Sequence, residues 1–303
     1  MGKFYSNGKL LLTGEYLVLD EAEALALPTI FGQYLTVVES DCPTLCWQSY
    51  AFDKKCWLEA EFELPDLKIL KSGSDTLVET AILQKLLRKT QVLNPDFLAT
   101  GQGYSVKATL TFPQTWGLGS SSTLVNNIAQ WGRINAFELQ FSVFGGSGYD
   151  IACAQHHTPI RYQLKNSSPV VQEVSFDPDF KENLYFVYLN KKQNSRDSIA
   201  SYKKQVEKVD PYIGIISQLT REIITCQSLA DFEKLLLEHE GILSGLLHSP
   251  PVQEQLFGDY FGQTKSLGAW GGDFILATGN PDTPGYFKKK GFDTVIPYSE
   301  MIL

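Results

Sequence analysis

"WGLGSSSTLVNNIAQWG", residues 116–132, places two glycines and three serines directly ahead of a segment whose apolar and polar residues alternate like a helix. The stretch before it, "YSVKATLTFP" (Tyr104 to Pro113), alternates apolar and polar residues and ends in proline, which reads as a strand. A strand that runs through a glycine-rich turn straight into a helix is a physical recipe for holding phosphate. Glycines let the backbone approach an anion, serine hydroxyls and free N–H groups face its oxygens, and the helix N-terminus adds favourable partial charge. The spacing is not the Walker pattern, which needs a lysine after its last glycine. Nor is it G-x-G-x-x-G, because no third glycine follows Gly119 by three residues. On spacing alone, a serine-capped helix after a tight turn explains the stretch as well as a phosphate cradle does.

Outward from this point the pattern mixes strands and helices. "KLLLTGEYLVL" (Lys9 to Leu19) and "QYLTVVES" (Gln33 to Ser40) read as strands, with an apolar stretch ending at Pro28 between them. "TLCWQSYAFDKKCWLEAEFEL" alternates as a hairpin does, and "LVETAILQKLLRKTQVL" sets Leu77, Ala81, Leu83, Leu86 and Leu87 near helical spacing. Past Ser167-Ser168-Pro169 the character changes: "NLYFVYLNKK" (Asn183 to Lys192) reads as a buried strand, two helical stretches follow, and short strands around a glycine turn close the chain. Two α+β domains, 1–175 and 176–303, fit this order.

The composition limits the function. The 303 residues, 43% hydrophobic and 20% charged, suit a globular protein with well-filled cores. No run approaches the roughly 20 apolar residues of a membrane span, and the N-terminus lacks a cleavable leader pattern, so a cytoplasmic protein without a membrane partner is expected. A net charge of −8 argues against broad nucleic-acid binding. The five cysteines are odd in number and widely spaced, and the Cys42/Cys46/Cys56 cluster has no second pair or nearby histidine; reduced thiols are expected. The four histidines read as structural or surface residues.

Two further glycine turns bear on the first. In "FGGSGYDIACA", Asp150 follows a G-G-S-G turn at the start of an apolar segment, where a carboxylate can accept or orient a hydroxyl proton, as phosphoryl transfer requires; it could equally cap a helix. "SLGAWGGDFILAT" leads into a strand near the C-terminus, which taken alone is a hairpin or a close backbone packing.

The ordered set resembles the GHMP small-molecule kinases. "SNGKLLLTGEYLVLDEAEALALP" is similar to the first family motif, "PQTWGLGSSST" to the second, "GGSGYDIA" to the catalytic-aspartate segment and "KSLGAWGGDFILA" to the third, in family order and over almost the whole chain. The resemblance implies a two-domain α+β fold, with an N-terminal domain like ribosomal protein S5 domain 2 and a ferredoxin-like C-terminal one. It implies ATP and Mg²⁺ as cofactors and transfer of the γ-phosphoryl group to a small acceptor of the mevalonate route. Gly14-Glu15-Tyr16 and Gly271-Gly272-Asp273 lean towards the phosphomevalonate kinase branch, where mevalonate kinases have G-E-H and another glycine. Mevalonate kinase, diphosphomevalonate decarboxylase and a non-catalytic metabolite-binding protein of the same fold are the alternatives.

By the same resemblance, Gly117, Leu118, Gly119, Ser120, Ser121 and Ser122 would wrap the ATP phosphates, with the Ser121 hydroxyl close to magnesium. Asp150 would take or orient the acceptor's proton, and Lys9 would approach both that aspartate and the transferred group, lowering the carboxyl's pKa and neutralising developing charge. Tyr16, Ser147 and Gly148 would meet the acceptor, and Ser195 and Arg196 its phosphate or carboxylate. Gly268, Ala269, Gly271, Gly272 and Asp273 form the third glycine motif. Trp116 and Trp270 depart from the family pattern, which has small residues there. The interval between "GLGSS" and "GGSGYD" is short, leaving Glu138 as the one acidic residue between them to act as the magnesium carboxylate. A monomer or a homodimer is expected.

Overall fold

A computed structural model describes residues 1–191, 202, 204, 209–268, 270 and 272–303. The chain is mixed α+β and divides into two compact units that interleave in sequence. One comprises 1–8, 31–114 and 118–155; the other comprises 9–30, 115–117 and 156–303. The last continuous stretch of the second unit begins at His156.

In the first unit, the expected hairpin is β3 (Thr44–Tyr50) and β4 (Cys56–Glu63), antiparallel in the register Trp47 to Ala60. β5 (Lys68–Ser72) extends it on one side. On the other, β3 runs parallel to β6 (Gly103–Leu110), and β6 is antiparallel to the Gln33–Ser40 part of β2 (Ala24–Ser40). β1 (Gly2–Leu11) also pairs with β2, closely enough that a Cβ on Gly32 would collide with the Ser6 carbonyl. Alternation decides the buried face: Leu45, Trp47, Leu58, Ala60, Phe62, Val106 and Ala108 point into one core.

That core is closed by helices α1 (Leu77–Leu93), α2 (Ser120–Gly132), α3 (Ala136–Val143) and α4 (Tyr149–Gln155). On α1 the buried stripe is Thr80, Leu83, Leu86, Leu87 and Thr90, which recur at three and four residues. Leu77 and Ala81 are exposed, because at 100° per residue they fall off that stripe. Each aliphatic or Phe side chain fully withdrawn from water here contributes about 1.5–3 kcal/mol.

In the second unit, β9 (Leu184–Tyr188) is buried at every position and lies between β11 (Phe274–Thr278) and β12 (Val295–Pro297), with β10 (Thr264–Ser266) beyond β11; all three pairings are antiparallel. β7 (Ile160–Lys165) and β8 (Ser168–Glu173) form a separate hairpin whose β7 edge pairs with Ala24–Ala26. The long helices are α5 (Asp210–Thr225) and α6 (Leu229–Leu247), divided at Ser228, whose hydroxyl accepts from the Asp231 N–H as an N-cap. Short helices α7 (Val252–Leu256), α8 (Thr283–Lys289) and α9 (Tyr298–Met301) follow.

Two strand expectations are corrected. The chain does not stay extended from Lys9 to Leu19: β1 ends at Leu11, and Leu17–Asp20 form a 3₁₀ turn. Gly14 has φ +84°, and a Cβ there would meet the Ala24 Cβ at 2.7 Å, so the chain turns where only glycine fits. Pro28 does not end the apolar stretch but lies inside β2. It falls between Ala26, the last residue paired with β7, and Gln33, the first paired with β6, where its missing N–H leaves neither ladder short of a donor.

Candidate functional site

In the first unit, the second glycine turn becomes a helix start. Leu118 is buried as an anchor, and Gly119 is the N-cap of α2 with φ +88°. The first backbone bond of the helix runs from the Thr123 N–H to the Gly119 carbonyl. Helix geometry leaves the N–H groups of Ser120, Ser121 and Ser122 without intrahelical acceptors, and a glycine cap has no side chain to offer one. These donors, with the positive end of a 13-residue helix, fit an anion. The serines are unequal: Ser121 is exposed, whereas Ser122 is buried and its hydroxyl donates to the Gly119 carbonyl at 3.0 Å.

A buried amide network fixes this helix, and the sequence reading missed it. The Asn127 amide donates to the Gln33 carbonyl and its oxygen accepts from Ser6, while the Asn126 amide donates to Ser6 and to the Ala154 carbonyl; each of these bonds is 2.9 Å except the last, at 3.3 Å. Gln155 returns a bond to Asn126 at 3.0 Å. Two consecutive asparagines in an otherwise apolar helix were the available signal, since they disfavour a helix interior unless paired. The network ties α2 to α4, the helix that begins at Tyr149-Asp150 after three glycines of positive φ, Gly145, Gly146 and Gly148. Ser147 is buried, Asp150 is half-buried, and one Asp150 carboxylate oxygen accepts from the Ile151 N–H at 3.0 Å. Glu138 is exposed in the first turn of α3, which Asn135 caps.

The second unit holds Lys9, half-buried near the end of β1, and the Gly14-Glu15-Tyr16 turn. Tyr16 has φ +61°, unusual for an aromatic residue, and is held by stacking on Tyr202 at 5.1 Å between ring centroids. The Tyr202 hydroxyl donates to Asp20 at 2.7 Å. Tyr16, Tyr202 and Trp270 lie in one apolar cluster with Leu243 and Leu246 of α6. Trp270 is therefore a core residue of this unit. Trp116 meets the Phe274 ring edge-on at 5.4 Å and lies 6.4 Å from Tyr188, so it too packs on the sheet. A Cβ on Gly117, at φ +66°, would overlap the Asp273 carboxylate, which binds the glycine requirement of the second motif to the acidic residue of the third. The Asp273 backbone is fixed by its N–H to the Lys191 carbonyl at 2.7 Å and its carbonyl to the Leu189 N–H at 2.8 Å. Gly268 has φ +63° and Gly272 is buried; Ala269, Gly271, Ser195 and Arg196 lie outside the described residues.

Glu15 was not singled out from the sequence, yet it is fully buried with Lys265, Glu240 and His239. The Lys265 ammonium donates to Glu15 Oε1 at 2.5 Å and to the Ser266 carbonyl at 2.9 Å, and stands 3.8 Å from Glu240 Oε1. The Ser266 hydroxyl donates to Glu240 Oε2 at 3.3 Å. The Gly14 N–H donates to His239 Nε2 at 3.2 Å, so that nitrogen keeps its lone pair and the imidazole is neutral. Burial, then the Lys265 charge, push its pKa well below the ordinary value. The 3.4 Å approach of Glu15 Oε2 to the same nitrogen is accordingly not an ion pair. Burial pushes the Glu15 carboxyl up against the opposing pull of Lys265, and pushes Glu240 up to about 7.

Among the described residues, no group of three or more His, Cys, Asp or Glu is placed to hold a metal, and no helix is long and apolar enough to cross a membrane. The cysteines are free, as expected, with Cys153 buried.

No protein-family model matches the sequence, and no curated protein sequence matches it significantly. Among solved structures, the chain is similar to mevalonate kinase of Methanococcus jannaschii, at 17% identity and a TM-score of 0.72 over 97% of this chain and 96% of that one. It is also similar to Streptococcus pneumoniae phosphomevalonate kinase in complex with phosphomevalonate and AMPPNP, at 15% identity and a TM-score of 0.67 over 96% of each chain. A third is Lactococcus lactis galactokinase complexed with galactose, at 12% identity and a TM-score of 0.69 over 95% of this chain and 88% of that one. All three are GHMP kinases, and the fold of this chain is the GHMP-kinase fold.

Proposed function

We propose that the chain is an ATP-dependent kinase of the GHMP type that transfers a γ-phosphoryl group to a small acceptor of the mevalonate route, phosphomevalonate before mevalonate. The observation that carries this reading is the start of α2. A glycine cap leaves three serine N–H groups unsatisfied at the head of a long helix, on a scaffold with the fold of known kinases. A pneumococcal phosphomevalonate kinase of that fold was crystallised with AMPPNP, which supports ATP as the donor.

In this reading Ser120, Ser121 and Ser122 present their N–H groups to the nucleotide phosphates, and Gly117 and Gly119 allow the close approach. Magnesium neutralises charge on the phosphates when bound. The exposed Ser121 hydroxyl and Glu138 carboxylate are the hard oxygens that would hold it, one or two protein ligands being enough for an ion that retains several waters. Asp150 accepts or orients the acceptor's hydroxyl proton, and Lys9 supplies positive charge to the developing transition state. Tyr16 and Ser147 face the acceptor.

The test is purified protein with Mg-ATP and, in turn, mevalonate, phosphomevalonate and diphosphomevalonate, following ADP and carbon dioxide. ADP with phosphomevalonate alone supports the assignment, carbon dioxide from diphosphomevalonate replaces it with the decarboxylase, and no ADP with any acceptor refutes the mevalonate-route reading.

A further inference from the structure

The buried charges of the second unit join two of its turns. Glu15 sits between Gly14 and Tyr16, both of positive φ, and Lys265 sits on β10 three residues before Gly268. A side chain of α6 reaches the β10 end of this link: Glu240 stands 3.8 Å from the Lys265 ammonium, which itself donates to Glu15, and accepts from the Ser266 hydroxyl. One helical turn further along the same face, Leu243 packs in the cluster that contains Tyr16 and Trp270. The charged cluster and the apolar cluster are therefore neighbouring layers under the same two turns.

We infer that Glu240 is a positioning residue, which through Ser266 and the Lys265–Glu15 pair sets the geometry of the Gly14–Tyr16 turn and the position of Trp270. Where Tyr16 faces an acceptor, this rests on the proposed kinase reading; the coupling of Glu240 to Trp270 does not. The groups that face Glu240 are Lys265 and Ser266 on β10 and, through its charge, Glu15 on the turn. With Glu240 protonated, the Lys265 ammonium has one carboxylate partner, Glu15. With Glu240 ionised, two buried carboxylates compete for one ammonium, Nζ is drawn towards α6, and the hold on the Gly14–Tyr16 turn loosens. Ionisation of Glu240 thus becomes displacement of the Trp270 ring that packs beside Tyr16.

The experiment is ¹⁹F NMR of the full chain labelled with fluorotryptophan. The five tryptophans give five resonances, and the one absent from Trp270→Phe is assigned to Trp270. That resonance is expected to titrate with a midpoint near pH 7 in the parent and to be flat through this range in Glu240→Gln. Ser266→Ala, which removes a hydrogen bond favouring the ionised carboxylate, is expected to raise the midpoint and keeps the test usable if the glutamine variant does not fold. A flat parent titration, an inflection that survives in Glu240→Gln, or an unmoved midpoint in Ser266→Ala overturns the inference. Because the readout does not involve turnover, a chain that phosphorylates none of the three acceptors still reports it, and an active kinase with a flat titration refutes only the role of Glu240.

Discussion

Replacing Glu240 by glutamine should change how stability depends on pH, with a magnitude that follows from burial. In the folded chain Glu240 keeps its proton up to about pH 7, whereas the ordinary carboxyl value is 4.5. At roughly 1.4 kcal/mol per unit of pKa, that difference is worth roughly 3 kcal/mol. The sign follows from proton counts. Between pH 4.5 and 7 the folded state binds more protons at this site than the unfolded state does, so the site's contribution to stability declines as pH rises through that window. It is fully present below 4.5 and fully lost above 7. Glutamine has nothing to titrate. The stability of Glu240→Gln relative to the parent should therefore improve by roughly 2–3 kcal/mol between pH 5 and pH 8, whatever constant offset the amide brings. Urea unfolding of both proteins across that range, followed by two probes with coincident midpoints, measures the difference, and all other titrating groups cancel in it to first order. A difference that is flat with pH, or that moves in favour of the parent at pH 8, would refute the reasoning.

The same layer predicts the cost of breaking the ion pair: Lys265→Met should destabilise the protein by about 3–5 kcal/mol, because Glu15 is left charged and unpaired in the core, and adding Glu15→Gln should recover a large part of it in a double-mutant cycle. Gly117→Ala combines a left-handed backbone, costing about 1–2 kcal/mol, with overlap of the Asp273 carboxylate, costing about 1–3 kcal/mol. The second part should disappear in an Asp273→Gly background, and an equal loss in both backgrounds in thermal unfolding would show that the carboxylate yields freely. Asp150→Asn should lower kcat by about 10²–10⁴-fold while leaving ATP affinity nearly intact in isothermal titration. A large loss of affinity would move Asp150 into the nucleotide site.

The elements set by local pattern were legible in the sequence. Alternation marked the β3–β4 hairpin and β6, an unbroken apolar run marked the buried strand β9, and glycine ahead of serines marked the start of α2. Pattern failed where a tertiary contact overrides it. "KLLLTGEYLVL" is as apolar as a strand, but Ala24 leaves no room for a side chain at position 14, so the chain turns there. Pro28 ends a strand by propensity, yet β2, which also pairs with β1, continues through it, and the proline falls clear of the β6 and β7 ladders. Trp116 and Trp270 register only as departures from glycine motifs because a motif compares single positions. Their partners, Phe274 for one and Tyr16 with Tyr202 for the other, are remote in sequence and invisible to that comparison.

Glu15 shows the same limit in the middle of the first motif. Reading Gly14-Glu15-Tyr16 position by position directs attention to the tyrosine, because the third residue separates the branches of the family. Physically, the glutamate is the residue with most at stake: a carboxylate at full burial is tolerated only where a cation meets it, and Lys265 lies 250 positions away. Neither residue signals the other in the sequence, since lysine before a glycine turn and glutamate after a glycine are each ordinary on a surface. What joins them is the packing of β10 beside α6, which also brings His239 and Glu240 to the same place. A strained Tyr16 then follows from its neighbours: with Gly14 pressed on Ala24 and Glu15 anchored to Lys265, the backbone at position 16 takes a positive φ so that its ring can reach Tyr202. The turn proposed to face the acceptor is thus held from beneath by charges, and any substitution that alters their balance should be felt first at Tyr16.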